Sequence, residues 1–165
     1  MDYKLPKEVK NILDTFQKTN FQIYIVGGAV RDLLMAKKVS DWDFTTDAKP
    51  EEILKLFQEG FLERSSQKGS TFGEPFYDNK FGTVGIPIKN TSKVGPDSFE
   101  VNGGTYEITT MRKEGIYKDH RHPVDVSWTD KIEEDLARRD FTINAMALGI
   151  ESRIKNKELS SKTLI

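Results

Sequence analysis

The segment that most constrains the fold is a six-residue run, Phe21-Gln22-Ile23-Tyr24-Ile25-Val26, that stops abruptly at Gly27-Gly28 before helical character resumes over 29–35. β-Branched and aromatic side chains suit a pleated strand, and paired glycines let the backbone turn sharply. A strand feeding a helix through so short a turn must pack the two against each other, so the architecture is layered. The neighbouring segments agree. Val9, Ile12, Leu13 and Phe16 fall at i, i+3, i+4, i+7 and predict a helix within 6–20. Asp41-Trp42-Asp43-Phe44-Thr45-Thr46 alternates polar and apolar residues and predicts a second strand over 41–46. Pro50 followed by Glu51 and Glu52 marks a helix start, with its stop expected at Gly60.

The remaining chain reads as more strand than helix. Residues 65–80 predict a long loop or decorated hairpin, 81–88 a strand, 89–97 a polar loop, and Gly103-Gly104 a turn before a strand over 105–111. Residues 113–122 form a charged loop and 124–128 a short strand; 130–148 reads as helical, in one piece or two, and the tail after Ile150 is polar. Early alternation of helix and strand followed by clustered strands gives an α/β or α+β class with a mixed sheet.

With 165 residues, 36% hydrophobic and 31% charged, the chain suits one compact domain with a solvated surface. Its net charge of -1 excludes attraction of the whole molecule to polyanions, so any contact with nucleic acid or nucleotide must come from a local patch. The absence of cysteine excludes disulfides and thiolate metal sites, and two histidines are too few for a His-rich one. No apolar run approaches the roughly 18 to 20 residues that span a bilayer, and the first residues lack an apolar signal core. The expectation is a cytoplasmic protein with no membrane segment.

Several constellations carry chemistry. On a strand, Asp41 and Asp43 face the same side about 7 Å apart; the pair reads either as two acids on an exposed edge or as a hard-oxygen site for Mg²⁺. Gly27-Gly28 between strand and helix is either a plain tight turn or a place where backbone N–H groups approach a phosphate, with Arg31 as an added cation. Glu107, between Tyr106 and Ile108, is either an exposed acid or a third carboxylate. Three carboxylates around two Mg²⁺ ions suit in-line displacement at phosphorus, one ion activating the attacking oxygen and the other steadying the leaving group. Glu134 with Arg138 and Asp135 with Arg139 form i, i+4 pairs, which a salt-bridged solvated helix face explains, or one arginine clamps a triphosphate. His120-Arg121-His122 reads as loop surface.

Taken together, Val26-Gly27-Gly28-Ala29-Val30-Arg31-Asp32, Asp41-Trp42-Asp43-Phe44-Thr45-Thr46-Asp47-Ala48, Phe81-Gly82-Thr83-Val84, Tyr106-Glu107-Ile108-Thr109-Thr110-Met111-Arg112 and the stretch from Glu133-Glu134-Asp135 through Arg138-Arg139-Asp140-Phe141-Thr142-Ile143-Asn144-Ala145 resemble the head domain of class II tRNA nucleotidyltransferases, the CCA-adding enzymes, and of the related poly(A) polymerases. The resemblance covers most of residues 20–150. It implies a polymerase-β-like fold with a mixed, roughly five-stranded sheet flanked by helices. It also implies that Asp41, Asp43 and Glu107 hold two Mg²⁺ ions, and that Gly27, Gly28, Arg31, Arg138, Arg139, Asp140 and Asn144 bind the nucleoside triphosphate, CTP or ATP. The loop over 113–123 is then expected to help switch from C to A addition. Residues 1–150 would form the catalytic head and 151–165 a tail or the start of a neck. Family members continue into neck, body and tail domains that hold the tRNA, and nothing after Ile150 resembles them. The expected reading is a head-domain fragment, a minimal relative or half of a split enzyme, acting on the tRNA 3′ end with missing domains or a partner chain. The alternatives are a poly(A) polymerase using ATP alone, or a non-catalytic nucleotide- or RNA-binding module.

Overall fold

The computed structural model describes residues 5–65, 72–79, 81–89, 102–114, 126–150 and 162–164. Helix α1 (Lys7–Gln17) fully buries Val9, Ile12, Leu13 and Phe16, the stripe its spacing predicts. Strand β1 (Ile23–Val26) leads through Gly27 into α2 (Gly28–Leu34), which is the strand, turn and helix read from the sequence. Strand β2 (Asp43–Thr46) starts later than the alternation suggested: Asp41 and Trp42 precede it, and Thr45 and Thr46 are both buried, so the inside-outside pattern breaks in its second half. Helix α3 (Pro50–Ser65) starts where Pro50 marks it but runs past Gly60. One glycine costs a helix only about 1 kcal/mol, too little to end it without a second breaker.

Four further strands complete the main sheet: β3 (Phe76–Asn79), β4 (Thr83–Lys89), β5 (Asn102–Thr110) and, after the helical region, β8 (Ala147–Ile150), with β9 (Lys162–Leu164) at its edge. The order is β3-β4-β5-β2-β1-β8-β9. The sheet is mixed: β2 and β5 are parallel, and the other neighbours antiparallel. Strands β6 (Arg112–Glu114) and β7 (Val126–Trp128) form a separate two-stranded ribbon, so the predicted 124–128 strand exists but lies outside the main sheet. Among the described residues the main sheet therefore has seven strands where about five were expected.

Two differences have clear physical causes. Gly103 and Gly104 lie within β5 rather than in a turn before it; the β4–β5 register shifts between Pro87 and Lys89, and Gly104 at φ 98° takes up the extra residue as a bulge. Residues 147–150 form a strand although Ala147 and Leu148 fall within the segment read as helix. The edge of β1 supplies pairing partners, Val26 with Ala147 and Ile25 with Leu148, and tertiary pairing overrides local propensity. Between the short helix α4 (Ile132–Ala137) and β8 the chain makes a single 3-10 turn at Thr142–Asn144. Thus the helical reading of 130–148 holds for its first part only.

Helices cover both faces of the sheet. Val9, Ile12, Leu13 and Phe16 of α1, Ala29 and Val30 of α2 and Ile53 and Phe57 of α3 share one apolar cluster with Ile25, Phe44, Ile86 and Ile108. Its aromatic centre joins Phe16 to Phe57 at 6.2 Å and Phe57 to Phe72 at 5.8 Å between ring centroids. On the opposite face Val26, Met111 and Ala147 pack with Ile132 and Leu136 of α4. Among the described residues no helix is long and apolar enough to cross a membrane. Of the predicted loops over 89–97 and 113–122, Lys89 ends β4 and Lys113 and Glu114 lie in β6, while the rest, including His120, Arg121 and His122, lies outside the described residues.

Candidate active site

The sheet register brings the acidic residues together. Antiparallel pairing sets Val26, at the end of β1, opposite Asp43, at the start of β2. Parallel pairing sets Asp43 opposite Glu107. Paired residues project to the same face, so Asp43 and Glu107 stand with Val26 on the α4 side. Burial pushes the Asp43 carboxyl above its usual range although its surface stays open to solvent; the like charge of Asp41 adds to the rise and Arg139 opposes it. Glu107 is raised for the same leading reason, with Asp43 and Asp78 adding repulsion. Asp41 lies before the strand, exposed, and its carboxylate accepts a 2.9 Å hydrogen bond from the Ser40 hydroxyl. Mutually repelling oxygen donors are the right chemistry for a hard divalent cation. Among the described residues, however, no three acidic or histidine side chains close on one point. The donor set therefore fits Mg²⁺ in the chemistry of its oxygens, and the register brings Asp43 and Glu107 to one face, but the three carboxylates do not converge on one point.

Gly27 occupies a hinge between cation and anion. At φ 70°, ψ -140° its backbone is in a region that side chains resist. A Cβ there would lie 3.4 Å from Arg139 Nη1 and 3.9 Å from Asp43 Oδ2. Its own N–H donates to the Met146 carbonyl at 3.2 Å, so this amide is committed to the fold rather than turned to a phosphate. Gly27→Ala is expected to cost about 1–3 kcal/mol through backbone strain, lowering the thermal midpoint by about 2–12 °C. An unchanged midpoint would mean that the turn relaxes freely.

The predicted nucleotide-binding residues are partly assembled. Arg31 donates from Nε to Asp32 at 2.9 Å and from Nη1 to Asn144 Oδ1 at 3.2 Å, which ties α2 to the 3-10 turn. Gly28 lies beneath it, a Cβ there falling 3.4 Å from Arg31 Nη2. Arg139 reaches over Gly27, whereas Asp140 is exposed at the bend after α4.

The solvated-helix reading of the α4 charges does not survive. Asp135 is fully buried and accepts from Arg138 Nε at 2.9 Å, Arg139 Nη2 at 3.5 Å, the Arg112 backbone N–H at 3.2 Å and the Thr45 hydroxyl at 3.4 Å. Arg138 thus pairs with Asp135, and Glu134 accepts instead from Thr129 at 2.6 Å with Lys131 at 3.7 Å. Asp135 is not among the residues the sequence singles out for metal or nucleotide, yet it is the buried anchor of both arginines. The signal was present: Ile132, Asp135 and Leu136 fall at i, i+3, i+4, so the acid lies on the buried stripe of its helix.

Residues 23–159 match the family described as the poly A polymerase head domain. A CCA-adding enzyme of Lactobacillus helveticus is 38% identical over 143 residues, 87% of this chain and 29% of its own length, and that of Geobacillus kaustophilus is 36% identical over 142 residues, 86% and 28%. A CCA-adding enzyme of Bacillus stearothermophilus in complex with CTP superposes with a TM-score of 0.60 at 25% identity over 96% of this chain and 29% of that one. A tRNA nucleotidyltransferase complexed with a primer tRNA and an incoming ATP analogue gives a TM-score of 0.54 at 27% identity over 93% and 33%. This chain spans less than a third of the length of these curated relatives. With the family match spanning residues 23–159 and curated relatives 36–38% identical over most of its length, the chain belongs to the poly A polymerase head-domain family.

Proposed function

We propose that this chain is the nucleotidyltransferase head of a tRNA-maturing enzyme, which transfers CMP or AMP from CTP or ATP to an RNA 3′-hydroxyl. The observation that supports this most directly is the placement of Asp43 opposite Glu107, with Arg139 leaning over Gly27 beside Asp43. Asp41 and Asp43, joined by Glu107, would hold Mg²⁺. When bound, the cation lowers the pKa of the attacking hydroxyl and neutralises charge on the phosphates. Arg139 and Arg31 supply fork-shaped donors to the triphosphate. In the transfer a bond forms from the 3′-oxygen to the α-phosphorus, the bond to the bridging oxygen breaks, pyrophosphate leaves and the hydroxyl proton passes to solvent. No side-chain nucleophile is required.

The short span relative to its relatives suggests that base selection and the grip on tRNA come from further domains or a partner chain. With a net charge of -1, the chain alone has little electrostatic hold on tRNA. A second reading, a poly(A)-adding head specific for ATP, is favoured by the description of the matching family.

The test is the thermal midpoint with Mg²⁺ and CTP, ATP or neither. A nucleotide at 100 times its Kd adds about 2.7 kcal/mol, or about 5–10 °C at this size. A Mg²⁺-dependent rise with both nucleotides supports the first reading, and a rise with ATP alone the second. No rise with either counts against a triphosphate site in this chain.

A further inference from the structure

We propose that Asp135 is the positioning residue of the triphosphate site: a buried carboxylate that holds Arg138 and Arg139 and so presets the arginine that reaches over Gly27. This inference rests on the nucleotidyltransferase reading.

A buried carboxylate is costly unless its charge and its lone pairs are matched. Asp135 meets both needs with the guanidinium groups of Arg138 and Arg139, with the Arg112 amide of β6, and with the Thr45 hydroxyl of β2, whose one proton it shares with the Thr109 carbonyl at 3.1 Å. Through these contacts the one side chain couples α4 to the strand that starts with Asp43. The two arginines are used differently. Arg138 binds Asp135 through Nε and Nη2, both 2.9 Å from Oδ1, which engages one edge of its fork. Arg139 touches Asp135 only through Nη2 at 3.5 Å, a loose contact, while Nη1 lies 3.4 Å from the Cβ position of Gly27 and Nε is buried with no partner among the described residues. A planar guanidinium tethered at one tip keeps its remaining N–H groups in one direction. Here that direction is the glycine turn and Asp43. The unpartnered buried donor is what an arginine shows when part of its fork is kept for an anion absent from the protein.

The side chain is thereby ordered before any phosphate arrives, and the entropy of fixing it is not charged against binding. Asp135→Asn keeps the shape but removes the charge, and its amide NH₂ must face one of the donors that the carboxylate accepts. A role confined to folding predicts a lower unfolding midpoint with unchanged affinity for nucleotide. Positioning predicts a loss of affinity that depends on Arg139.

The experiment measures the Kd of the full 165-residue chain for CTP with Mg²⁺ in wild type, Asp135→Asn, Arg139→Gln and the double variant. Asp135→Asn is expected to weaken binding about three- to ten-fold, the cost of ordering one freed side chain. The double variant should then bind about as weakly as Arg139→Gln alone, because neighbours acting through one contact are not additive. Additive losses, or binding as tight as wild type or tighter in Asp135→Asn, would overturn the proposal. Side-chain ¹⁵N spectra of the nucleotide-free wild type give a readout that needs no variant to fold. Hindered rotation of the Arg139 guanidinium is expected, and free rotation would overturn the proposal. A held Arg139 in a chain that binds neither CTP nor ATP would count against the nucleotidyltransferase reading itself and reduce Asp135 to a structural role, so the two failures are distinguishable.

Discussion

Asp43→Asn is expected to abolish the Mg²⁺-dependent stabilisation by CTP and ATP while raising the thermal midpoint of the free chain. The two effects share one cause. Burial and the neighbouring charge of Asp41 raise the Asp43 carboxyl above its ordinary value of 3.8, against the opposing pull of Arg139. A native state that holds a proton more tightly than the unfolded state gains stability when that proton is bound. Stability contributed by this group is therefore greatest at acid pH and falls as pH rises through the window from 3.8 to the raised native value. At neutral pH the group is ionised at a cost to the fold, and the amide removes that cost. The same ionised oxygens are what a divalent cation needs, so cation binding weakens as pH falls toward the raised value, sooner than at an unperturbed aspartate. If Asp43 holds the metal as proposed, its loss is expected to remove several kcal/mol of transition-state stabilisation, a fall in transfer of about a thousand-fold or more. Thermal scans of both proteins across pH, with and without Mg²⁺ and CTP, check the prediction. A nucleotide response in Asp43→Asn equal to wild type would remove Asp43 from the site.

Phe44→Ala should produce the largest loss of stability of any change in β2. Phe44 is 1% exposed; its register partners are Ile25 on β1 and Ile108 on β5, and its ring lies 6.1 Å from that of Tyr106. Emptying such a position costs about 3–5 kcal/mol for the lost burial and the cavity left behind. For a chain of this size the midpoint falls by about 6–20 °C. The functional consequence follows from geometry. Phe44 projects to the face opposite Asp43, so its packing pins the strand whose first residue must stay opposite Glu107. Chemical denaturation and nucleotide binding should therefore weaken together in Phe44→Ala. Phe44→Leu, which keeps most of the volume, should lose much less of both. A fall in stability with the nucleotide response intact would show that the register does not depend on this side chain.

Local patterns carried much of the fold. The α1 stripe, the strand-glycine-helix unit at 23–34 and the Pro50 start of α3 depend on contacts a few residues apart, which periodicity and capping signals report directly. The acids and arginines that form the candidate site were also legible, because charged residues among apolar strand residues and a glycine pair before a helix stand out against ordinary sequence. What failed was local reasoning applied to segments governed by distant partners. Ala147 and Leu148 are good helix formers yet pair with β1, more than a hundred positions earlier. Gly60 did not end α3, and Gly103-Gly104 lies within β5 because a bulge absorbed it.

By itself, the sequence determined the class of the fold, the presence of Asp41, Asp43 and Glu107, and the likeness to the poly A polymerase head-domain family. These depend on residue type and short-range spacing. Only the tertiary structure decided that Asp43 stands opposite Glu107 while Asp41 turns to Ser40, that the Gly27 amide donates to Met146 while Arg139 lies over its Cα, and that Asp135 is buried beneath two arginines. The physical reason is that strand register and helix burial are settled by long-range pairing and by the cost of leaving a charge unmatched. An i, i+4 ion pair looks the same in sequence whether it lies in water or under a sheet; packing makes the difference.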